Sequence, residues 1–217
     1  MKKIDYKSIF FIGINVFTII LLGSKAAVLT LITVFFVFLI NKGLLKTVKG
    51  KLFAFMSIVI FLTIFFLSGI YLRFEQAINT VLDEKNSNEL LSTGQRIQVW
   101  KNILELPLER LLLGNGNIHG YALLNQNLDF KLNSHNQYLE VLLASGLLGI
   151  ILLFVFLFGL IFLNKQLKNN MLFVFFLLII IINLAFENLL NRQWGIVFIG
   201  FFYSYLYVFV IKKDEYQ

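Results

Sequence analysis

Cysteine is absent from this chain of 217 residues, and proline occurs only once, at Pro107. Without cysteine the chain has no disulfide, no thiolate nucleophile and no cysteine metal ligand. Charge is also scarce, since 14% of the residues are charged, against about 25% in a typical soluble domain. The remainder is strongly apolar, with 59% hydrophobic residues and 25 phenylalanines. This balance excludes an ordinary soluble globular domain and predicts a membrane protein with several spans.

Several motifs that would identify an enzyme class are also missing from the sequence. The chain has no P-loop, no HExxH, no GxSxG and no DxD, the last being typical of metal-dependent transferases that use nucleotide sugars. The "LLLGNGN" segment (111–117) has glycines without the rest of a dinucleotide fingerprint, so it predicts a tight turn after a short helix. Apart from Lys25 and Asn183, the apolar runs are almost free of polar residues, which argues against a transporter that relays ions or protons.

Six apolar runs predict an all-α polytopic membrane protein with about six transmembrane helices in one membrane domain, 1–217. A helix needs about 20 residues to cross the hydrocarbon of a bilayer. The first two runs are short and meet at Lys25, and a single helix through both would bury that charge at mid-depth. We therefore expect two short helices that turn at Lys25. The six spans are expected near 8–24, 26–41, 52–72, 138–163, 171–186 and 195–211.

The distribution of charge orients these spans. If the N-terminus is inside, the inner segments hold eleven lysines against three acidic residues, while the outer segments are nearly balanced. An excess of cations in the inner loops is the usual topology signal of a membrane protein. The formal net charge of +7 therefore indicates topology rather than nucleic-acid binding, and both termini are expected in the cytoplasm. All four arginines lie in the predicted outer segments. Arginine binds phosphate or carboxylate through two parallel hydrogen bonds, which lysine cannot do.

One large extracytoplasmic loop, 73–135, is predicted between the third and fourth spans. Loops of this length are usually functional or disordered. Here "STGQ" (92–95) has the spacing of a capping box and predicts a helix that ends near Glu105. Arg96 lies beside the apolar face of this helix, which either rests on the membrane surface near lipid headgroups or simply packs against the protein. The residues of that face at helical spacing are Ile97, Trp100 and Leu104.

A histidine lies where the polar loop becomes the fourth apolar run. "SHNQ" (134–137) repeats the capping spacing and predicts that Ser134 caps a helix with His135 and Asn136 in its first turn. First-turn amides attract anions such as phosphate, and the positive helix end favours a neutral imidazole, which can accept a proton as a general base. Glu140, about one turn later, is expected to orient the ring. The competing interpretation is an ordinary polar flank at the membrane interface.

A second polar segment, "FENLLNRQW" (186–194), joins the fifth and sixth spans. Glu187 lies at a membrane edge with Arg192 nearby. The two residues either form a buried ion pair that braces the site or belong to a solvated hairpin loop. His119, in "NIHGYA", has no comparable setting and is expected to be a loop histidine.

Taken in order, these segments resemble the O-antigen ligase/polymerase family of bacterial envelope glycosyltransferases. The resemblance is closest over about 92–150, and a looser similarity extends to the C-terminus. Its most specific part is the His-Asn-x-Tyr-Leu segment followed by Gly-Leu-Leu-Gly. The segments that carry it are "LLGSKAAVLTL", "GQRIQVW", "LGNGN", "SHNQYLEVLLASGLLGI" and "FENLL".

The resemblance implies a glycosyltransferase of the bacterial inner membrane. Such a ligase or polymerase takes a glycan from a polyprenyl diphosphate carrier on the outer face. It passes the glycan to a hydroxyl of lipid A core or of another lipid-linked repeat unit, in O-antigen, capsule or exopolysaccharide assembly. The diphosphate is the leaving group, so no nucleotide sugar, ATP, metal or other cofactor is implied. The implied partners are the lipid-linked glycan, the acceptor, the bilayer and other polysaccharide-assembly proteins, with no nucleic acid.

The resemblance also assigns roles to particular residues. His135 matches the loop histidine that activates the acceptor hydroxyl, and Arg96 matches an arginine that binds the diphosphate. Lys25 stands where the family has an arginine after serine, so it keeps the charge and loses the bidentate fork. The interval from Pro107 to Gly114 is wider than in the family. Supporting roles are expected for Asn136, Glu140, Glu187 and Arg192.

Members of the family are longer, with further spans ahead of the serine–cation turn. The chain is therefore expected to be a C-terminal fragment, one half of a split gene or a compact relative. Two other classes remain open beside an active transferase. One is a nonenzymatic subunit that binds or exports lipid-linked glycan, or an inactive fragment of such an enzyme. The other, a small transporter, is disfavoured by the apolar spans.

Overall fold

Helices account for all the regular secondary structure in the part of the chain that is described. This confirms the all-α prediction for those residues. The chain divides into two compact units, 1–84 and 85–217, and the expectation of one membrane domain over 1–217 stays a prediction. The computed structural model describes residues 6–22, 24–67, 70–82, 92–124 and 133–215.

The first unit is a series of apolar helices. Its α2 and α3 are joined by a 3-10 turn at Leu44–Lys46. Ser24 is the N-cap of α2, and its side-chain oxygen accepts a hydrogen bond from the backbone N–H of Ala27 at 3.3 Å. Lys25 is the first residue of α2, so the predicted division into two helices at this point is confirmed. The helices are α1 (Tyr6–Leu21), α2 (Lys25–Asn41), α3 (Val48–Leu67) and α4 (Ile70–Leu82).

The predicted third span, 52–72, does not form one straight helix. The rings of Phe65 and Phe74 lie 5.5 Å apart, centroid to centroid. Nine residues along a straight helix would separate their Cα atoms by about 13 Å. The two helices α3 and α4 are therefore not collinear, and the end of the predicted span belongs to α4. The sequence does carry a turn signal at this point, the dipeptide Ser68-Gly69, which the prediction of a single span did not use.

The second unit contains the longest helix and all the polar segments singled out above. The helix predicted to run to about Glu105 is present as α5. A 3-10 turn, Leu189–Asn191, stands between the last two helices. The helices are α5 (Ser92–Leu104), α6 (Leu108–Leu113), α7 (Asn117–Leu124), α8 (Gln137–Leu163), α9 (Lys165–Asn169), α10 (Met171–Leu184) and α11 (Gln193–Glu215).

An apolar core joins the later part of α8 to the helices α9, α10 and α11. In lipid such contacts stabilise the fold through van der Waals packing, because the acyl chains are as apolar as the side chains. The hydroxyl of Tyr203 on α11 donates to the carbonyl of Phe156 on α8 at 2.8 Å. Buried members of this core include Leu157, Leu167, Phe173, Ile180, Leu184 and Ile199.

A smaller core holds α5 against α8. Val99 and Ile103 are fully buried and pack with Leu143. Leu104 is 60% exposed, so its predicted place on the packing face is wrong. The structure shows α5 packed against α8 through this core, and the position of α5 at the membrane surface stays a prediction.

The helix α8 is interrupted at Gly146, which has φ 63° and ψ −159°. The break leaves two carbonyls without partners inside the helix. Asn115 N–H donates to Leu143 O at 2.9 Å and Gly116 N–H donates to Ala144 O at 2.8 Å. Backbone polar groups at membrane depth must find such partners, since lipid supplies none. The "LGNGN" segment therefore closes the break in α8.

The predicted tight turn after a short helix is confirmed at the end of α6. Gly114 and Gly116 both have positive φ, at 78° and 69°. A Cβ added at Gly114 would lie 2.6 Å from the backbone nitrogen of Gly146, so the two backbones cross in direct contact. Only glycine satisfies both the left-handed conformation and this close approach.

Six apolar helices correspond to the six predicted runs, and the protein is a membrane protein. The count of six crossings and the topology of the loop stay predictions. Among the described residues, the helices long and apolar enough to cross a membrane are Val48–Leu67, Gln137–Leu163 and Gln193–Lys212. The shorter apolar helices are Phe10–Leu21, Lys25–Asn41 and Met171–Leu184.

Candidate functional site

The start of α8 differs from the prediction. Asn136 is the N-cap, and its side-chain oxygen accepts from the N–H groups of Tyr138 at 3.0 Å and Leu139 at 3.2 Å. The predicted Ser134 cap is therefore wrong, and His135 and Asn136 lie before the first turn rather than in it. Because the amides of Tyr138 and Leu139 are already bound, the helix end does not offer them to an anion.

His135 has an unusual backbone conformation. Among the described residues it is the only one other than glycine with positive φ, at 47°. Left-handed backbone is uncommon for residues with a side chain, although histidine and asparagine are enriched there. Such a conformation persists only where the surroundings hold it in place, and it is a frequent feature of functional sites.

A buried polar cluster holds the loop on both sides of this residue. Ser134 is fully buried, and its hydroxyl donates to Glu140 Oε2 at 2.7 Å. Glu140 is 6% exposed and also accepts from Asn188 Nδ2 at 3.3 Å and from Asn191 Nδ2 at 3.4 Å. An ionised carboxylate only accepts hydrogen bonds, and here three donors converge on one. The expected contact of Glu140 with the His135 ring is therefore wrong.

Gln137 completes the same cluster. Its side-chain Nε2 donates to Asn191 Oδ1 at 3.0 Å, and its Oε1 accepts from Leu190 N–H at 2.8 Å. It does not reach back as the partner in a capping box, since both ends of its amide bind the segment after α10. We call the buried Ser134, Gln137, Glu140 and Asn188, together with the exposed Asn191 that binds them, the buried clamp.

A second group lies beside the buried clamp and is less enclosed. Arg96 Nη2 is 3.3 Å from His135 Nδ1 and 3.5 Å from Glu187 Oε1. Glu187 Oε2 is 3.5 Å from the same Nδ1. Arg96 Nη1 also donates to the carbonyl of Phe186 at 3.3 Å. We call Arg96, His135 and Glu187 the Arg96 triad.

The side chains of the Arg96 triad are partly exposed. This matches neither the buried ion pair nor the solvated hairpin loop that were predicted as alternatives for Glu187. The side chains of His135, Arg96 and Glu187 are 22%, 28% and 39% exposed. Glu187 pairs with Arg96, and Arg192 Nη2 lies 4.0 Å from its other oxygen. Glu187 therefore forms neither a buried ion pair nor a fully solvated hairpin, and solvent reaches a group that is nevertheless held by its neighbours.

Trp100 connects α5 to the histidine loop. Its indole N–H donates to the carbonyl of Ser134 at 2.7 Å. Arg96 lies four residues earlier and therefore on the same side of α5. The helix thus presents its arginine to the His135 ring and its indole to the residue before it. The sequence placed Trp100 on the apolar face and gave no signal for this hydrogen bond.

Two other predicted residues lie elsewhere. Lys25 belongs to the first compact unit, at the start of α2. His119 is exposed on α7, so its predicted place in a loop is wrong. Asn188 was not identified from the sequence, although it is 3% exposed and bound to Glu140. It stands 48 residues from Glu140 in the chain, and no periodicity links positions so far apart.

The chemistry available at the Arg96 triad follows from its three groups. A guanidinium binds phosphate well, an imidazole can take up a proton, and a carboxylate can orient that imidazole. Over the residues that are described, no group of three or more metal-ligating side chains is present.

Comparison with known protein families identifies a match over much of the chain. A family model described as O-Antigen ligase matches residues 10–155, which is more than half of the chain. The matched range includes Arg96 and His135, and it ends before Glu187. No curated protein and no solved structure matches the chain.

Proposed function

The chain belongs to the O-antigen ligase family, and from this premise we propose that it transfers a glycan from a polyprenyl diphosphate carrier to an acceptor hydroxyl. The family suggests a role in glycan transfer at a membrane. The particular carrier, the acceptor hydroxyl and the bacterial inner membrane are parts of the proposal. The acceptor is lipid A core for a ligase or another lipid-linked repeat for a polymerase, and the chemistry on the carrier side is the same.

The observation that carries the proposal is the contact between Arg96 and His135. A cation suited to a diphosphate lies 3.3 Å from a ring nitrogen of a residue that can act as a base. The two residues come from α5 and from the loop before α8, 39 positions apart. Glu187, from a third segment, contacts both. A group that binds the leaving diphosphate beside a group that accepts the nucleophile's proton is what the transfer requires.

In the proposed reaction, Arg96 binds the diphosphate of the carrier. The Nε2 atom of His135 removes the proton of the acceptor hydroxyl, and that oxygen attacks the anomeric carbon of the glycan. The bond from this carbon to the phosphate oxygen breaks, and its electron pair leaves with the polyprenyl diphosphate. The proton stays on His135 until it passes to solvent. Catalysis of this kind typically gives about 10²–10⁴-fold in rate from the general base.

The remaining predicted residues take supporting parts in the proposal. Asn136 fixes the start of α8 and thereby the residue before it. Glu140 acts through the buried clamp, and Arg192 neutralises part of the charge of Glu187. Lys25 is proposed as a second cation for the diphosphate. The inner-face lysines support cytoplasmic termini and an extracytoplasmic site.

One observation favours a second candidate, a subunit that binds lipid-linked glycan for assembly or export without transferring it. A guanidinium has only donors, so its contact with His135 Nδ1 requires that this nitrogen accept. In a neutral ring the proton then resides on Nε2. A histidine in that form donates a hydrogen bond from Nε2 and cannot act there as a base.

The test uses the purified full chain in liposomes with a polyprenyl diphosphate glycan and an acceptor. We expect His135→Ala to reduce transfer by about 10²–10⁴-fold. His119→Ala, which removes the other histidine from an exposed position on α7, is the matched control and should leave transfer unchanged.

Persistent transfer by His135→Ala contradicts the base role. If the wild-type chain binds the lipid-linked glycan and transfers none, the binding subunit or an inactive fragment replaces the enzyme. Binding is measured separately by co-sedimentation of the liposome-embedded glycan analogue with the tagged chain, so that the two candidates give different results.

A further inference from the structure

The Nδ1 atom of His135 has two neighbours with incompatible demands. Arg96 Nη2, at 3.3 Å, can only donate and therefore needs an unprotonated Nδ1. Glu187 Oε2, at 3.5 Å, only accepts when the carboxylate is ionised and therefore needs a protonated Nδ1. A neutral ring satisfies one of these contacts at a time. The shorter distance, to Arg96, favours the tautomer with the proton on Nε2.

From this conflict we infer that a bound diphosphate exchanges the partner of His135 Nδ1, from Arg96 to Glu187, and thereby turns Nε2 into a proton acceptor. The inference rests on the proposed function, since it specifies how the diphosphate of that substrate prepares the base. It makes Glu187 a positioning residue that acts on the reaction through His135.

Arg96 is held loosely enough for a phosphate to draw it away. Its contacts with other described residues measure 3.3, 3.3 and 3.5 Å. Good charge-assisted hydrogen bonds are about 2.7–2.9 Å, and arginine binds phosphate with two parallel bonds. A diphosphate therefore offers Arg96 shorter and more numerous contacts than His135, Glu187 and the Phe186 carbonyl provide.

The two remaining members of the Arg96 triad stay in place when Arg96 turns to the phosphate. His135 follows Ser134 and Glu187 precedes Asn188, and both of these neighbours belong to the buried clamp. Ser134 is fully buried and Asn188 is 3% exposed, and both bind Glu140. The backbone at the ring and at the carboxylate is therefore fixed independently of Arg96.

The exchange conserves the number of protons. One proton leaves Nε2 for solvent and one from solvent attaches to Nδ1, where Glu187 Oε2 accepts its hydrogen bond. The His135 side chain is 22% exposed, so water reaches the ring. Glu187 loses the contact with Arg96 and gains one with a ring N–H, while Arg192 remains near the same oxygen. His135 Nε2 can then accept a proton only when the carrier is bound. The tautomer that cannot act as a base, which favoured the nonenzymatic candidate, belongs to the unliganded state.

The test reads the tautomer of His135 directly. Ring-¹⁵N-labelled histidine is incorporated into the full chain carrying His119→Gln, which leaves a single histidine because the chain has two. The protein is placed in lipid nanodiscs and titrated with inorganic pyrophosphate. We expect Nδ1 to be unprotonated without pyrophosphate and protonated at saturation, with Nε2 changing in the opposite sense. A signal that does not respond to pyrophosphate, or an Nδ1 already protonated without it, overturns the inference.

Two variants sharpen the assignment. Arg96→Ala removes the donor, so Nδ1 should be protonated even without pyrophosphate. Glu187→Ala removes the acceptor, so pyrophosphate should no longer shift the ring to the protonated Nδ1. Arg110→Ala is the matched control, since it removes an exposed arginine on α6 that has no part in the Arg96 triad, and it should preserve the exchange. An exchange that persists in Glu187→Ala contradicts the positioning role, and the titration of the parent protein needs neither variant to fold.

Glycan transfer is measured on the same preparations, which separates the two ideas. Transfer without any exchange leaves the proposed function standing and removes this inference. Exchange without transfer supports the inference and removes the proposed function for this chain.

Discussion

The buried clamp and the Arg96 triad share neighbouring residues and differ in almost every physical respect. The shortest contact of the clamp is 2.7 Å, and its Ser134, Glu140 and Asn188 are almost completely buried. The contacts of the triad are 3.3–3.5 Å long, and its side chains are 22–39% exposed. Satisfied buried polar groups give rigidity, whereas loose and partly exposed groups can change partners. The difference indicates that one cluster fixes the backbone, and it supports the proposal that the other performs the chemistry.

The largest effect is expected from breaking the clamp at its centre. Glu140→Ala removes the acceptor of the buried Asn188 amide, and it leaves the buried Ser134 hydroxyl only its longer contacts with Asn136 O and Asn188 Oδ1. An unsatisfied buried donor costs about 1–3 kcal/mol, so the free energy of unfolding should fall by about 3 kcal/mol. Thermal unfolding in detergent measures this change.

The matched control for Glu140 is Glu105→Ala, which changes an exposed carboxylate after α5 and should have little effect. Equal melting temperatures for the two variants would contradict the clamp. Glu140→Gln should fall between them, because the amide keeps one acceptor and turns a donor toward other donors.

A smaller effect is expected within the triad, on activity rather than on stability. Arg96→Lys keeps the charge and loses the bidentate fork, so kcat/KM for glycan transfer should fall about tenfold. The melting temperature should change little, since partly exposed ion pairs add little to stability.

Lys101→Ala tests whether the Arg96 effect belongs to its position. Lys101 is exposed on the same helix, five residues later. Transfer should fall less in Lys101→Ala than in Arg96→Lys. If both variants lose the same activity, Arg96 contributes only positive charge, and bidentate binding of the diphosphate by its guanidinium is contradicted.

The smallest effect is expected at the connection between the two clusters. Trp100→Phe keeps an aromatic ring and removes the N–H that donates to Ser134 O at 2.7 Å. One hydrogen bond contributes about 1 kcal/mol to stability. Trp194→Phe, at a residue 60% exposed on α11, is the control. If Trp194→Phe lowers the free energy of unfolding as much as Trp100→Phe does, the hydrogen bond from Trp100 to Ser134 O does not stabilise the protein.

Hydropathy and helix signals were sufficient for the main apolar helices and for α5, but not for the short helices between them. The six apolar runs each contain an apolar helix, the turn at Lys25 is present, and α5 ends close to the predicted residue. The break at Gly146 was not predictable, because a glycine inside an apolar run is compatible with a continuous helix. The break depends on hydrogen bonds from Asn115 and Gly116, about thirty residues earlier in the chain.

The sequence was sufficient to predict which residues form the candidate site, but not which of them contact one another. The sequence singled out Arg96, His135 and Glu187, and the structure brings these three together. Glu140 was expected at the ring because it is near His135 in the chain, whereas Glu187 is 52 residues away and lies closer to Nδ1.

The cap of α8 shows how a local motif can point to the wrong residue. Ser134 and Asn136 both have side chains suited to an N-cap. Asn136 takes the position because the Ser134 hydroxyl binds Glu140, which in turn binds Asn188 on a distant segment. The spacing of a local motif does not show that Ser134 has a second possible partner in Glu140.

The most direct test of the account is the stoichiometry of the reaction catalysed by the purified wild-type chain. Liposomes containing the chain, a polyprenyl diphosphate glycan and an acceptor are incubated without nucleotide, and glycosylated acceptor and free polyprenyl diphosphate are quantified together. The account predicts equal amounts of the two products, with both lost in His135→Ala and retained in His119→Ala. Release of the carrier without glycosylated acceptor, or formation of neither product by the wild-type chain, would contradict it.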